Sequence, residues 1–362
     1  MRVIGAIAGI ILLCVVLVVL ARGCGSGSDT SVEKKAAVIH EAKGQAQVSQ
    51  CSAELRDIFF MSRATLPHGA TLPPNWPEID KRVGFVVGAN SAILKTADGG
   101  QTWKYVSEPK EGAPTLDAVR FLNPMEGWAV GRDLGLHTAD GGETWTPAPS
   151  LPGIVPYYGS STATATSFLV IKPPTCGATL YKALDGGKKW HDAAGLPKND
   201  YAVVFFFDDL HGWISGNHGM FAMTKDGGKT WEEHGIENGE DLCILQFLTP
   251  EVGRMRDDRT NGILTTADGG KTWQAKSAGL ATYWGVPDMQ WLDTKAGFLL
   301  VHVEPDNTHV FRTLDGGDTW ETIGKHKTEL TAMSFVDPSH GWVVGPSGCI
   351  FHYDLGPFSD AK

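Results

Sequence analysis

The chain has 362 residues, of which 42% are hydrophobic and 20% charged, and its formal net charge is −10 at pH 7. This acidic balance argues against general nucleic-acid binding, which neutralises phosphates with Lys and Arg, and against docking on anionic lipid. The 44 Gly and 12 Trp residues are typical of a β-rich chain with many tight turns.

The first segment predicts membrane targeting. An unbroken apolar run covers residues 3–21, which is near the minimum length for a membrane span. Three interpretations stay open: a signal-anchor helix, a lipoprotein signal with lipidation of Cys24, and a cleaved signal peptide. All three place the rest of the chain outside the cytoplasm. We expect it to be tethered through residues 3–21 or Cys24 to the cytoplasmic membrane, on its periplasmic or lumenal side.

The sequence divides into four parts. Residues 1–24 form the targeting segment, and the small, polar and charged residues 25–44 form a flexible linker. We expect residues 45–356 to form one repeat domain and residues 357–362 to be a short tail.

Short strand patterns recur throughout the repeat domain. The first group begins with Leu55-Arg-Asp-Ile-Phe-Phe60, continues with 84–88 and 92–96, and ends with 102–106. Each segment is short, β-branched or aromatic, and bounded by Gly, Pro, Asp or Asn, which indicates strands joined by hairpins. Four such strands, recurring at intervals of 41 to 47 residues, predict the blades of a β-propeller. Seven groups predict an all-β, seven-bladed propeller.

The most regular feature of each group is a hairpin with the sequence Thr-x-Asp-Gly-Gly-x-Thr-Trp. Gly-Gly supplies the positive φ that a tight turn requires, and the Asp carboxylate can accept bonds from N–H groups of its own loop. The Trp can bury its ring while its indole N–H finds a carbonyl. Because these aspartates are spread evenly round a ring, we predict a structural role for them. The motif, degraded in its third copy, supplies Asp98 and Trp103, Asp140 and Trp145, Asp185 and Trp190, Asp226 and Trp231, Asp268 and Trp273, and Asp315 and Trp320.

The seventh group ends before its fourth strand. A propeller must close to hide its edges, so we expect residues 45–51, which have no partner in the first group, to supply the outer strand of the last blade. Cys51 would then run near Cys349, and a disulfide between them would close the ring if their Cα atoms lie within about 7 Å. No Cys-x-x-Cys or Cys/His spacing occurs, so we predict no metal site and no cofactor.

The repeated hairpin resembles the Asp-box, or BNR repeat, of sialidases, some glucanases, sortilin-type receptors and the photosystem II stability and assembly factors. The Gly-Trp-x-x-Gly strands around Trp128, Trp213 and Trp342 are most similar to the last of these families. This resemblance covers residues 55–354. It implies a seven-bladed extracytoplasmic propeller, often membrane-tethered or lipid-anchored, that in phototrophs helps early photosystem II subunits assemble.

The resemblance implies a non-catalytic protein that binds protein partners, with a membrane-complex subunit as the expected one. The alternative is a glycan-binding or glycoside-hydrolysing propeller of the sialidase type, and a structural surface protein is a third interpretation. A glycosidase needs two carboxylates a set distance apart. Candidates outside the boxes lie in no catalytic motif, and the pair Asp208-Asp209 falls in a turn; they are Asp117, Asp208, Asp209, Asp257, Asp258, Asp288 and Asp306. The sequence therefore favours a protein that is not an enzyme.

A binding rim is predicted on the face opposite the boxes. Two loops between successive groups carry aromatic pairs, Tyr157-Tyr158 and Tyr283-Trp284, which suit protein partners or sugars. We expect Arg120, on a first strand, to point into the channel, and because an unpaired buried Arg is rare, either a partner or a water-filled channel is implied. The loops between second and third strands add Arg132, His218, Arg259 and His309.

Overall fold

The computed structural model describes most of the repeat domain. The described residues are 44–47, 53–66, 70, 72–131, 134–147, 162–163, 167–172, 179–183, 191–192, 201–236, 242–257, 262–276, 285–304 and 306–356. In 44–47 and between 162 and 192 the strands are described without their side chains. The predicted targeting segment and most of the predicted linker lie outside the described residues. Within the described part, no helix is both long and apolar enough to span a membrane.

The described strands pair into seven antiparallel sheets of four strands each. Sheet 1 contains β2 Leu55–Phe60, β3 Gly84–Gly88, β4 Ile93–Thr96 and β5 Lys104–Ser107. Sheet 2 contains β6 Leu116–Phe121, β7 Gly127–Gly131, β8 Leu134–Thr138 and β9 Thr146–Pro147. Sheet 3 contains β10 Thr162–Ala163, β11 Ser167–Lys172, β12 Thr179–Ala183 and β13 His191–Asp192.

The remaining four sheets follow the same order along the chain. Sheet 4 contains β14 Tyr201–Phe206, β15 Gly212–Gly216, β16 Met220–Thr224 and β17 Glu232–Gly235. Sheet 5 contains β18 Leu242–Phe247, β19 Gly253–Asp257, β20 Gly262–Thr266 and β21 Gln274–Lys276. Sheet 6 contains β22 Gly285–Trp291, β23 Gly297–Glu304, β24 Asn307–Thr313 and β25 Glu321–His326. Sheet 7 contains β26 Ala332–Phe335, β27 His340–Val344, β28 Ile350–Asp354 and the early strand β1 Gly44–Gln47.

The sheets are arranged as an all-β propeller, as the repeat predicted. The first strand of a sheet packs against the first strand of the next, as β14 does against β18, β18 against β22, β22 against β26, and β26 against β2. First strands therefore surround the centre, and later strands lie progressively farther out. Side chains are described for six of the sheets, whereas sheet 3 is described by its strands alone.

The strand that precedes sheet 1 completes sheet 7. β1 pairs antiparallel with β28, with Gly44 opposite Tyr353 and Gln47 opposite Ile350. The strand is Gly44–Gln47 rather than the expected 45–51, so it begins within the predicted linker. The junction between sheets 7 and 1 is also bonded near the centre, where the Thr331 hydroxyl donates to the Leu55 carbonyl over 2.8 Å.

Aromatic stacking joins neighbouring sheets. Two positions are involved at each such contact. One ring follows the first Gly of a second strand, and it stacks on the aromatic residue at the end of the first strand in the next sheet. Trp342 stacks on Phe60 with ring centroids 3.5 Å apart, and Trp213 stacks on Phe247 at 3.6 Å. Such buried pairs contribute about 0.5–1.5 kcal/mol each beyond the free energy of burial. The same stacked pair recurs at the junctions of sheets 1 and 2, 4 and 5, 6 and 7, and 7 and 1, so the sequence carries an aromatic residue at both positions there.

One junction departs from this pattern. In sheet 5 the second strand has the sequence Gly-Arg-Met-Arg-Asp, and Arg254 occupies the stacking position. Its guanidinium carbon lies 4.9 Å from the centroid of the Trp291 ring, so a cation–π contact replaces the aromatic stack. Arg254 is 8% exposed, and burial lowers its pKa.

The insertion between β2 and β3 of sheet 1 packs against the core through its described residues. It contains the short helix α1 Trp76–Ile79, and the Trp76 side chain is buried. Trp76 and Leu66 belong to the apolar cluster of sheets 1 and 2 that also contains Phe85 and Phe121. The insertion reaches across to sheet 7, where the Lys81 ammonium lies 2.9 Å from the Asp337 carboxylate.

Candidate binding surface

The boxes and the turns between first and second strands lie on one face of the ring, called here the box face. The first box glycine donates its N–H to the carbonyl of the residue two positions before the second strand. Gly99 bonds to Arg82 over 2.9 Å, and Gly141 bonds to Met125 over 2.8 Å. The loops between second and third strands must lie on the opposite face, called here the rim face, because the strands are antiparallel.

Each box aspartate is bonded within its own hairpin. In the first box, Thr96 Oγ1 donates to Asp98 Oδ1 over 2.8 Å, and Thr102 Oγ1 donates to Asp98 Oδ2 over 2.6 Å. The Thr102 backbone N–H also donates to Asp98 Oδ1. The same bonds recur at Asp140, Asp226, Asp268 and Asp315.

These bonds lower the pKa of the box aspartates. At Asp140, Asp226, Asp268 and Asp315 the main cause is the hydroxyl of the Thr four residues later, followed by its backbone N–H. Desolvation opposes the shift at Asp98, but its pKa is still lowered by the bonds from Thr102. The carboxylates stay ionised, and their oxygens are occupied by their own turns. This geometry supports a structural role for five of the six predicted residues, and Asp185 lies outside the described residues.

The box tryptophans pack edge-on against the aromatic residues that end the first strands. Trp103 meets Phe60 at 5.7 Å and 89°, and Trp231 meets Phe206 at 6.0 Å and 90°. The predicted indole-to-carbonyl bond forms at Trp273, whose Nε1 donates to the Gly270 carbonyl over 3.1 Å. The buried indole N–H groups of Trp145, Trp231 and Trp320 have no such acceptor within the described part of the chain. Trp190 lies outside it.

Three of the predicted rim residues are described, and two of them, His218 and His309, lie on the rim face. His218 is exposed in a short turn with φ 58°, a backbone conformation that Asn90 and Ser347 adopt at the matching positions of sheets 1 and 7. His309 lies on the long β23–β24 hairpin, and its pKa is lowered by burial and then by the Lys325 charge. The structure does not bring the two histidines into contact. Arg132, Tyr157, Tyr158, Arg259, Tyr283 and Trp284 lie outside the described residues.

Arg120 has the partner that its position predicted. Its guanidinium forms an ion pair with Asp57 of the neighbouring first strand, and its Nη1 donates to the Val119 carbonyl over 2.7 Å. Asp57 also accepts the Val119 N–H over 2.8 Å. Arg120 is partly exposed at the centre of the ring. Burial raises the pKa of nearby Asp288, and the charges of Asp57 and Arg120 both influence this pKa, which Asp57 raises and Arg120 lowers. Asp57, Arg120 and Asp288 therefore form a charged cluster in the central channel, called here the channel cluster.

The pattern of the repeats could have revealed this cluster. Asp57 and Asp288 both stand three residues before the aromatic end of a first strand, a position occupied elsewhere by apolar residues such as Val203 and Ala332. Arg254 and Arg256 likewise replace apolar residues of a second strand, and Arg256 Nη1 donates to the Val286 carbonyl over 2.7 Å. Charged residues in place of apolar ones in otherwise uniform strands are the sequence signal of this cluster.

Asp208 lies in the turn between the first and second strands of sheet 4. Asp208 accepts the N–H groups of Leu210 and His211 over 2.8 and 2.7 Å, which supports the predicted turn role. Within the described residues, no group of three or more His, Cys, Asp or Glu side chains is placed to hold a metal ion.

Together, the sheets and the boxes define the class of protein: an all-β propeller with Asp-box hairpins. A family model described as "Photosynthesis system II assembly factor YCF48" matches residues 76–198. The chain is 27% identical over 291 residues to "Photosystem II assembly lipoprotein Ycf48" of Synechococcus sp. (strain CC9902), covering 76% of this chain and 82% of the relative. It is 28% identical over 311 residues to "Photosystem II assembly protein Ycf48" of Thermosynechococcus vestitus, covering 76% and 79%. The resemblance to the photosystem II stability and assembly factors is thus confirmed.

Solved structures agree on the fold. "YCF48 bound to D1 peptide" matches with a TM-score of 0.64 and 20% identity, over 88% of this chain and 99% of that one. A GH74 xyloglucanase from Xanthomonas campestris matches with a TM-score of 0.65 and 12% identity. This chain spans about half of the enzyme, 55% of its length. At these identities the structural matches show a shared propeller fold.

Proposed function

We propose that this protein is a non-catalytic, extracytoplasmic propeller that binds a membrane-complex subunit and assists the assembly of the complex. The observation that carries the proposal is the similarity, over three quarters of the chain, to relatives named as photosystem II assembly proteins. One structural match is named as bound to a D1 peptide, which supports a polypeptide segment as the ligand. We infer that all seven sheets are blades of one closed ring spanning 45–356.

The rim face is the proposed binding surface. The box carboxylates are occupied by their own hairpins, whereas the turns of the rim face differ from sheet to sheet. Asn90, His218 and Ser347 stand at matching positions of three such turns, and sheet 6 extends a longer hairpin with His309 on the same side. A surface that varies between repeats can recognise one partner at one place, which a uniform surface cannot.

The proposal includes a tether and excludes catalysis. Residues 3–21 or Cys24 would hold the propeller at the membrane, consistent with relatives that are named lipoproteins. The similarity to a glycoside hydrolase keeps a glycan-acting protein as the alternative. Against it, Asp57 and Asp288 of the channel cluster both accept backbone N–H groups, so neither is placed as a free acid or nucleophile.

Site-specific photo-crosslinking in intact membranes tests the proposal. A photoreactive phenylalanine replaces His218 on the rim face, and the matched control replaces the exposed Ala139 in a box hairpin. We expect a membrane-complex subunit to be crosslinked from position 218 and not from position 139. Recovery of no such subunit from either position would contradict the assembly function, and recovery from 139 alone would contradict the rim face.

A further inference from the structure

Two carboxylates clamp neighbouring first strands in the same way. Asp57 in β2 accepts the Val119 N–H of sheet 2 over 2.8 Å, and Asp288 in β22 accepts the Met333 N–H of sheet 7 over 2.8 Å. The two aspartates occupy matching positions in their sheets. Their clamps join sheets 1 and 2 and sheets 6 and 7, which are the junctions on either side of the one that closes the ring.

The two clamps differ in charge compensation. Asp57 is paired with the Arg120 guanidinium. Within the described residues, no Lys, Arg or His side chain forms an ion pair with Asp288. The charged groups that approach β22 are Asp57 and Arg120 across the channel, Arg254 over the Trp291 ring, and Arg256 at the Val286 carbonyl. The Asp288 side chain is therefore half-buried with a like charge nearby, and none of the described cations is bonded to it.

A second bond on the same junction does not titrate. Gln290 accepts the Phe335 N–H over 2.7 Å and donates to the Phe335 carbonyl over 2.9 Å. The Phe298 and Phe335 rings stack at 3.7 Å in the same junction. A change of charge at Asp288 can therefore alter one contact of the junction without opening it.

We propose that the junction between sheets 6 and 7 is a proton-responsive clamp, in which Asp288 holds the Met333 N–H when ionised and releases it when neutral. An ionised carboxylate offers two strong acceptor oxygens, one for the Met289 N–H and one for the Met333 N–H. A neutral carboxyl group offers one good acceptor, so one of the two N–H groups loses its partner. This inference is independent of the proposed function.

The protonation falls in an accessible pH range. Burial in the ring raises the pKa of Asp288 to about 6, with a further contribution from Asp57, while the Met333 N–H and Arg120 oppose the shift. Because this pKa lies above the ordinary value of 3.8, folding favours the protonated form. The contribution of Asp288 to stability is therefore greatest in acid and is lost as the pH rises through about 6.

Asp288→Asn tests the stability effect. We measure the unfolding constant of each protein in urea and divide the wild-type value by the variant value. This ratio should be about tenfold lower at pH 5 than at pH 7. Ser334→Ala is the control, because Ser334 accepts the Phe60 N–H at the closing junction over 3.1 Å without titrating. The wild-type to control ratio should stay constant over the same range. A wild-type to Asp288→Asn ratio that is also constant would overturn the proposal.

Amide hydrogen exchange tests the clamp itself. The protection factor of the Met333 N–H should fall in the wild type as the pH drops below 6, and should not change in Asp288→Asn. The Phe335 N–H, held by Gln290, should keep its protection in both proteins. Constant protection of Met333 in the wild type would overturn the clamp even if the stability effect were found.

Discussion

Individual polar residues of this propeller are held by specific local bonds. The box aspartates are bonded by the hydroxyl and N–H groups of their own hairpins, which explains why their regular spacing does not create a shared site. A buried pair of polar side chains joins sheets 6 and 7, where His326 Nε2 bonds to the Tyr353 hydroxyl. Both side chains are buried, with exposed fractions of 5% and 0%. Burial raises the pKa of Tyr353, so this residue stays neutral.

The buried His326 predicts a loss of stability in mild acid. Burial lowers its pKa to about 4 from 6.5, and the His309 charge adds to the shift. Because the unfolded chain binds the proton more readily, stability is lost as the pH falls from about 6.5 to about 4, by roughly 3 kcal/mol in full. In urea unfolding, the ratio of the wild-type to the His326→Gln unfolding constants should rise as the pH falls from 7 to 5, because only the wild type carries the buried imidazole.

The matched control for this prediction is Phe351→Leu. The Phe351 ring lies 4.2 Å from the His326 ring and carries no titratable group. This variant should be destabilised at both pH values and keep the wild-type pH dependence. If His326→Gln also kept it, the buried imidazole would not be its source.

At the scale of single strands, the sequence predicts second strands well and first strands less well. β3, β7 and β15 begin and end where expected, because glycines mark both ends and lie close to the first strand of their own sheet. A Cβ at Gly84, for example, would meet the Phe60 ring at 2.7 Å. The first strand β22 begins at Gly285, and a register shift between Gly285 and Asp288 breaks the alternation by which a sequence pattern would locate it.

The channel cluster could not be derived from one strand. Asp57 and Arg120 are 63 residues apart and meet because their sheets are neighbours. A strand pattern indicates which residues alternate, but the distance between two sheets depends on the packing of the whole junction. The roles of Arg254 and Arg256 also depend on the neighbouring sheet. Arg254 lies over the Trp291 ring of sheet 6, and the strand that carries both arginines lacks the apolar pattern of the other second strands.

The closing strand β1 yields a prediction at this scale. Its sequence, Gly-Gln-Ala-Gln, has little apolar surface, so it contributes chiefly by pairing with the edge of β28. Removing residues 1–50 should expose that edge, lower the melting temperature by several degrees and promote association between chains. Thermal unfolding and size-exclusion chromatography measure both effects.

A shorter truncation is the control for the closing strand. Removing residues 1–40 leaves Gly44–Gln47 in place, and this protein should remain monomeric with an unchanged melting temperature. Equal behaviour of the two truncated proteins would show that β1 does not stabilise the ring.

At the scale of the whole molecule, the two ends of the repeat domain are joined by several independent contacts. Leu55 donates its N–H to the Gly345 carbonyl over 3.2 Å, Phe60 stacks on Trp342, and Lys81 pairs with Asp337. These contacts extend from the rim face to the box face. The ring is therefore closed along its depth as well as by the outer strand.

A disulfide between Cys51 and Cys349 remains a prediction for this closure. Cys349 is buried just before β28, whereas Cys51 lies outside the described residues. We expect peptide mapping without reduction to recover the two cysteines in one linked peptide, and reductant to lower the melting temperature. Cys349→Ser should remove this sensitivity, and a wild-type protein insensitive to reductant would contradict the disulfide.

The turns of the box face have a consequence for redesign. The turn of sheet 1 is much longer than the others, yet Arg82 presents its carbonyl to Gly99 as Met125 presents its own to Gly141. A box hairpin therefore requires one carbonyl from the preceding turn, at the residue two positions before the second strand. Foreign loops of very different length can be grafted there if those last residues are kept, which makes the box face a display scaffold whose repeats can be varied one at a time.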